Sequence, residues 1–273
     1  MATPTCVIIT RPAAQAAPWI AALTSQGLQA EGFALIDIAP ALPAHALAAV
    51  QQRAAHADVC MWVSSNAVEH FFQSNSPVVQ AFTAQAATKL IVNGFQHRTR
   101  HWATGPGTVA ALQGHGIPHE LIDAPDALAQ WDSQALWQRV AAQVRAGTQV
   151  LIVRGQDVGT PIASRDWLAQ QITAAGGVVD FAAVYQRRAP LFTAQQLAWA
   201  QAAAQDGSVW VFSSSQALTH LPNLPDVAGA WMQARCVVTH ERIAQAARAR
   251  GFAVVCTSRP AIADVALSIK SIL

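Results

Sequence analysis

Two stretches pair an apolar run with a cluster of hydroxyls. Residues 62–71 read WVSSNAVEHF and residues 209–221 read VWVFSSSQALTHL. In each, a strand-like run stops on polar side chains and passes into a helical pattern. The first stop is Ser64, Ser65 and Asn66; the second is Ser213, Ser214 and Ser215. Arg11, Thr104, Gly105, Thr108, Arg154, Gly155 and Thr239 follow the same rule, each standing just after an apolar run or at a helix start. Singly, a Ser, Thr or Asn at such a place reads as a helix N-cap. As a set they describe strand exits rich in donors and poor in carboxylates. Helix starts also offer free backbone N–H groups to an anion, so the set points to an anionic ligand.

Tyr185 is the chain's one tyrosine and is followed by Gln186, Arg187 and Arg188. At a strand end it reads as a half-buried packing residue with a wet hydroxyl. Facing a cleft, it would also be placed to give a proton to a departing hydroxyl. Other chemistry lacks its motif. There is no GxGxxG after the first strand and no GxxxxGK[ST], and GxSxG is missing too. His97/His101 and His115/His119 have the i, i+4 spacing of metal ligands. However, Gly116 and Pro118 interrupt the second pair and no acidic third ligand accompanies either, so surface or loop roles and no metal are expected.

The elements that would carry these residues alternate. Cys6–Ile9 is a strand, followed by a helix over Ala13–Ser25 that opens on Pro12 and closes at Gly27. Val59–Val63 leads into a helix over Asn66–Phe72, and Leu90–Asn93 is read as a third short strand, leading to Gly105-Pro106-Gly107-Thr108 and a helix ending near Gly114 and Gly116. The second half repeats the order: strand Gln149–Val153 ending in Arg154-Gly155, a helix over Trp167–Ala175, strands Val178–Val184 and Val209–Phe212, then Cys236–Thr239 into Ala244–Arg250 and Gly251. Landmarks thus recur about 135 to 150 positions apart, which indicates a duplicated α/β unit with parallel sheets. The outer-layer helices are expected over Ala135–Val144 and Ala194–Gln205. Pro-bounded extended segments, Ile36–Pro43 and Asp180–Pro190, are the candidate seams, and they would run side by side as a two-stranded connector. In open parallel sheets ligands sit beyond the carboxyl ends of the strands, so the two hydroxyl-rich exits would face each other across a polar cleft.

Composition narrows the class. Charged residues are 12% and apolar ones 52%, so most of the chain must pack into cores rather than stay disordered. A net charge of +2 gives no case for nucleic acid. The basic residues are 15 Arg and 2 Lys, and Arg is the better fork for a carboxylate. The four cysteines form no CxxC pair, and Cys6 and Cys60 read as small core hydrophobes in a reducing compartment. The start MATPTCVIIT has no basic region with a long apolar run behind it, and no apolar run reaches membrane-spanning length, so a soluble cytoplasmic protein is expected.

The ordered motifs IITRP (8–12), VSSNAVEHF (63–71), ATGPGTVAALQGHG (103–116), VRG (153–155), LAQQITAAGGVV (168–179) into Tyr185-Gln186-Arg187, FSSSQAL (212–218) and RIAQAARARGF (242–252) resemble the uroporphyrinogen-III synthase family over nearly the whole chain. The resemblance implies an α/β fold of two flavodoxin-like parallel-sheet lobes joined by a two-stranded β connector, one lobe discontinuous. The boundaries are then 1–37 with 188–273 for the discontinuous lobe and 41–182 for the other, with connectors at about 36–43 and 180–190. It implies cyclisation of the linear tetrapyrrole hydroxymethylbilane to uroporphyrinogen III, with loss of water, inversion of the last ring, and no cofactor. Carried over by residue, Tyr185 assists departure of the hydroxyl. Thr108, the exit Ser64, Ser65 and Asn66, and its opposite Ser213, Ser214 and Ser215 match substrate-facing positions of the family, and Arg11, Thr104, Gly105, Arg154, Gly155 and Thr239 join the expected set from the strand-exit pattern. The chain departs from a Gly-x-x-Thr turn of many members at Thr239-His240-Glu241-Arg242-Ile243; Ile243 cannot donate, so the donor there is either Thr239 or none.

That substrate carries eight carboxylates, which suits a donor-rich cleft, and its closure needs orientation more than a triad or metal. A monomer with no nucleic-acid or membrane partner is expected. Two rivals share the polar cleft: a non-catalytic two-lobed binder of a small anion, which has no use for Tyr185, and a nucleotide-sugar transferase, which would want an acidic metal motif.

Overall fold

The computed structural model describes residues 5–73, 90–92, 95–97, 99–126, 132–158, 166–222 and 229–273. In chain order it runs β1 (Val7–Ile9), α1 (Ala13–Thr24), β2 (Ala30–Gly32), β3 (Asp37–Pro40), α2 (Ala44–His56), β4 (Val59–Trp62), α3 (Ser65–Phe72), β5 (Leu90–Val92), β6 (Phe95–His97), β7 (Arg100–Ala103), α4 (Pro106–Gly114) and β8 (Ile122–Asp123). It continues with α5 (Ser133–Val140), β9 (Gln149–Asp157), α6 (Trp167–Ala174), β10 (Val178–Arg188), α7 (Ala194–Ala203), β11 (Val209–Phe212), α8 (Ser215–Thr219), β12 (Arg235–Val238), α9 (Glu241–Arg250), β13 (Val254–Thr257) and α10 (Ile262–Ile272). The contacts divide into two compact units, Met1–Ile38 with Arg188–Leu273, and Ala39–Arg187.

The first unit holds a parallel sheet ordered β13-β12-β11-β1-β2. Numbered by first appearance within the unit this is 2-1-3-4-5, the flavodoxin-like winding, whose order reverses between β1 and β11. Alternation along the strands explains how both faces are covered. Val7, Ile9, Val209 and Val211 pack with Leu23 of α1 and Val265, Ala266 and Ile269 of α10. Ile8, Trp210 and Phe212 turn the other way, onto Ala200 of α7, Leu218 of α8 and Ala247 of α9. Each such apolar side chain contributes roughly 1.5–3 kcal/mol on burial, and neither β1 nor β11 has a charged residue to spoil either face. Gly251 ends α9 at φ 100°, a left-handed turn that a side chain would strain.

The second unit's sheet is ordered β3-β10-β9-β4-β7-β8. From β4 onward the strands are parallel and wind 3-2-1-4-5, reversing between β4 and β9. Val59, Met61, Val150 and Ile152 bury against Leu136 and Val140 of α5 and Leu168 and Ile172 of α6. On the opposite face Trp62 meets Phe71 of α3 edge-on, with ring centroids 5.0 Å apart, and Gln51 of α2 donates to the Phe71 carbonyl at 2.7 Å. At the sheet's edge β3 lies beside β10: Arg188 Nε donates to Asp37 at 2.6 Å and Ala41 N–H donates to the Val184 carbonyl at 3.1 Å. Those two contacts make the connecting pair antiparallel. Among the described residues no helix is long and apolar enough to cross a membrane.

Three expectations are corrected. Leu90–Val92 is not a strand of the main sheet but half of a separate antiparallel hairpin with Phe95–His97, and Asn93 lies outside the described residues. The third parallel strand is Arg100–Ala103, beside β4. Its polar residues hid it from a search for apolar runs. Arg100 satisfies Asp123 through Nε at 2.8 Å and Nη2 at 2.5 Å, and Trp62 Nε1–H donates to His101 Nδ1 at 3.1 Å. His101 is accordingly 1% exposed, a core residue rather than a surface one. Finally, β9 does not stop at Arg154-Gly155 and β10 does not stop near Val184; they pair on to Asp157 and Arg187.

Candidate functional site

The second unit's sheet reverses order where β4 meets β9, and Val63 N–H donates to the Val153 carbonyl there at 3.1 Å. Ser64 is the next residue. Its extended backbone (φ −162°) lets its Oγ accept the Ala67 N–H at 3.2 Å, so it caps α3. The same oxygen lies 3.0 Å from the Tyr185 hydroxyl, and either can donate. Tyr185 comes from the middle of β10 and is 3% exposed, so its hydroxyl is held by the protein rather than wet. Just before it the β9–β10 register shifts: Ala183 faces Arg154 while Tyr185 faces Gly155, leaving Val184 as an extra residue. Such a bulge re-aims the side chain that follows it.

The residues around this pair divide sharply. Ser65 and Asn66 are half-buried and their side chains make no hydrogen bond among the described residues. Thr104 Oγ1 donates to the Val63 carbonyl at 3.4 Å, beside the same strand end. Gly105 is the N-cap of α4, and Thr108 sits in its first turn, only 4% exposed, so little of it can touch a ligand. Arg154 does not stand free: its Nη1 is 3.7 Å from Asp166, which caps α6 by accepting the Leu168 and Ala169 N–H groups. Gly155 is there for Tyr185, since a Cβ on it would lie 2.2 Å from the tyrosine Cζ.

The first unit's reversal lies between β1 and β11. Thr10, next after β1, donates through Oγ1 to the Val211 carbonyl at 2.7 Å and is 1% exposed. Arg11 follows it, with its guanidinium carbon 5.0 Å from the Trp19 ring centre. Its Nε is buried without a hydrogen-bond partner, and no carboxylate pairs with it among the described residues. Burial lowers its pKa, but an arginine stays charged. Ser214 caps α8 by accepting the Gln216 N–H at 3.2 Å. Ser213 and Ser215 flank it, half-buried, with no side-chain hydrogen bond among the described residues. Thr239 N–H donates to the Phe212 carbonyl at 3.2 Å, one strand over. Behind it His240 caps α9 through Nδ1, which accepts the Arg242 N–H at 3.1 Å, and Ile243 is buried in the core.

Sequence reasoning passed over His70, Asp166 and Trp19, which act on Tyr185, Arg154 and Arg11 respectively. No periodicity marks them, because their partners are distant in the chain or in another element. Of the remaining histidines, His115 binds Glu69 through Nε2 at 3.1 Å and stacks on Phe72, while the side chain of His97 lies outside the described residues. An open cavity of about 300 Å³ lies near the amino-terminal ends of β9 and β10, lined by Arg53, His56, Gln149 and Asp180. It is away from the strand exits, and the Arg53–Asp180 ion pair occupies it.

No curated protein sequence matches the chain. Among the solved structures that match the chain, two share its fold over 98% of this chain and 98% of their own. One is the uroporphyrinogen-III synthetase of Helicobacter pylori 26695, at 12% identity and a TM-score of 0.59. The other is a mutant uroporphyrinogen III synthase of the extremely thermophilic bacterium Thermus thermophilus, at 13% identity and a TM-score of 0.53. The family model described as uroporphyrinogen-III synthase HemD matches residues 17–266, most of the chain and both units, and the chain therefore belongs to the uroporphyrinogen-III synthase family.

Proposed function

We propose that Tyr185, held by Ser64, serves the ring closure of hydroxymethylbilane to uroporphyrinogen III as proton donor to the departing hydroxyl. The enzyme is a lyase of tetrapyrrole biosynthesis, as its family is. The observation that carries the residue assignment is the 3.0 Å contact between the two hydroxyls at the point where the second unit's strand order reverses. A phenol there can give its proton to the hydroxymethyl oxygen, which leaves as water, while Ser64 donates back to the phenolate oxygen. The azafulvenium cation left behind is attacked by the substituted carbon of the last ring, and the spiro intermediate so formed resolves with that ring inverted, the proton lost from that ring on closure returning to the Tyr185 phenolate. Holding the chain for that attack is an orientation task.

The substrate's carboxylates would be met by Arg11, by the free hydroxyl and amide groups of Ser65, Asn66, Ser213 and Ser215, and by Thr239. Arg11 is the strongest of these on physical grounds: a half-buried guanidinium that meets no carboxylate among the described residues has donors to spare. Thr104 and Gly105 would serve beside Ser65 and Asn66 in the second unit and Ser214 beside Ser213 and Ser215 in the first, and Arg154 would join by exchanging Asp166 for a substrate carboxylate. Thr108 is the weakest member of the set, being covered. A monomer in a cytoplasmic setting is part of the proposal, the setting because Cys6, Cys60 and Cys236 are buried as unpaired thiols. The non-catalytic binder is left without support by the family match.

The deciding assay supplies purified protein with freshly made hydroxymethylbilane and separates the product isomers. Type III is expected as the main product. Type I alone, at the spontaneous rate, would overturn the reading.

A further inference from the structure

The ring closure as set out above makes no use of His70, yet this residue is built into the site. It lies on α3, the helix that Ser64 caps, and is 8% exposed. Its ring stacks on Tyr185 with centroids 5.6 Å apart and planes 25° from parallel. Its Nδ1 is buried with no hydrogen-bond partner among the described residues. An unbonded buried ring nitrogen is costly, so that nitrogen does not hold the ring in place; what the ring presents to the site is its flat face. Burial moves it below the ordinary histidine pKa, against the opposing pull of Gln73 and Glu69, which favours the neutral ring.

The other contact is from β9. A Cβ on Gly155 would stand 2.2, 2.4 and 2.7 Å from Cζ, Cε2 and Cε1 of Tyr185, so the phenol end of the ring rests directly on the glycine backbone. The bulge at Val184 then sets the direction from which the ring arrives: Val184 and Tyr185, neighbours in the chain, are both buried, at 2% and 3% exposure. A regular strand would send one of them to each face of the sheet.

We propose that His70 and Gly155 are positioning residues that together form a seat for Tyr185, fixing the one ring orientation in which its hydroxyl meets Ser64. Without the histidine face the ring gains room to turn about its side-chain bonds and carries its hydroxyl away from Ser64. The proposal rests on the reading of Tyr185 as proton donor for its catalytic consequence, though not for the geometry itself.

The chain's single tyrosine makes the seat directly observable, because protein carrying ring-labelled 13Cζ-tyrosine gives one resonance. We expect His70→Ala to shift or broaden that resonance and to lower kcat about tenfold or more, with KM held within about twofold. His70→Phe restores a flat face, and should return the resonance and bring kcat to within about threefold of the parent. An unchanged resonance in His70→Ala overturns the seat, as does a His70→Phe protein no better than His70→Ala. If His70→Ala does not fold, His70→Phe alone decides: parental resonance and rate support the seat, and loss of both overturns it. A shifted resonance with an unchanged kcat would leave the seat standing and remove Tyr185 as proton donor, which Tyr185→Phe would report independently by full activity.

Discussion

The hydroxyls of Ser64 and Tyr185 meet at 3.0 Å across 121 residues of sequence, and the serine oxygen in that contact also caps the helix behind it. One atom therefore links helix α3 to the acid proposed for the reaction. Ser64→Ala should cost the cap, about 1 kcal/mol, and also leave a buried phenol unbonded, about 1–3 kcal/mol more. Ser214→Ala removes a cap of the same kind without that second loss. Urea unfolding of the two variants checks this, and equal destabilisation would show that the Tyr185 contact contributes nothing.

Tyr185→Phe takes away the donor but leaves the Ser64 cap and the packed ring. Its stability should fall by only about 1 kcal/mol, and its turnover by about a hundredfold or less, with type III still the product. Isomer-resolved kinetics distinguishes this from a dead enzyme, which would imply more than acid assistance.

Gly155→Ala asks for space that the tyrosine ring already fills. Overpacking of this sort costs about 1–3 kcal/mol, and here the ring must also move off Ser64. Turnover should drop along with stability. A Gly155→Ala protein of parental Tm and kcat would mean that the ring and the strand separate without penalty.

Arg11 has no ion pair among the described residues, so Arg11→Lys should leave Tm close to the parent while weakening substrate binding. A charge-assisted hydrogen bond is worth about 1.5–3 kcal/mol, so KM should rise by roughly one to two powers of ten with kcat less affected. An unchanged KM for hydroxymethylbilane would take Arg11 out of the carboxylate set.

His101 gives a pH signature unrelated to catalysis. Burial, reinforced by the Arg100 charge, pushes its pKa down to about 3, whereas the unfolded chain has the ordinary value near 6.5. Below about 6.5 the unfolded state takes up a proton that the folded state refuses. Its contribution is thus fully present above pH 6.5 and is lost as pH falls from there toward 3, at up to about 1.4 kcal/mol per pH unit. His101→Gln keeps an acceptor for Trp62 and should flatten that slope, as denaturation midpoints between pH 7 and 4 would show. An identical slope in the variant would place the acid sensitivity elsewhere.

Much of this molecule is legible in one dimension because its signals are local. Val59–Trp62, Val209–Phe212 and the helices behind them announce themselves by uninterrupted apolar runs, a polar stop and a helical period, all within about 15 residues. Ser64 and Ser214 read as caps for the same reason, and both are. Arg100–Ala103 did not read as a strand, since Arg100 and His101 are acceptable inside a sheet only once Asp123 and Trp62 have arrived to satisfy them. The Ala30–Gly32, Ile122–Asp123 and Val254–Thr257 strands are too short or too exposed to stand out.

The alternation of strands and helices, the capping hydroxyls and the family can all be read from residue type at short spacing or in fixed order. Tertiary structure alone decided which of those hydroxyls touch anything. Tyr185 is buried and meets Ser64 because a bulge at Val184 turns it and Gly155 leaves it room. Arg154 finds Asp166 and Arg11 finds no carboxylate among the described residues, although both come after an apolar run of the same kind. Strand order and register are set by the packing of whole sheet faces, so no stretch of neighbouring residues can encode which side chains they bring together.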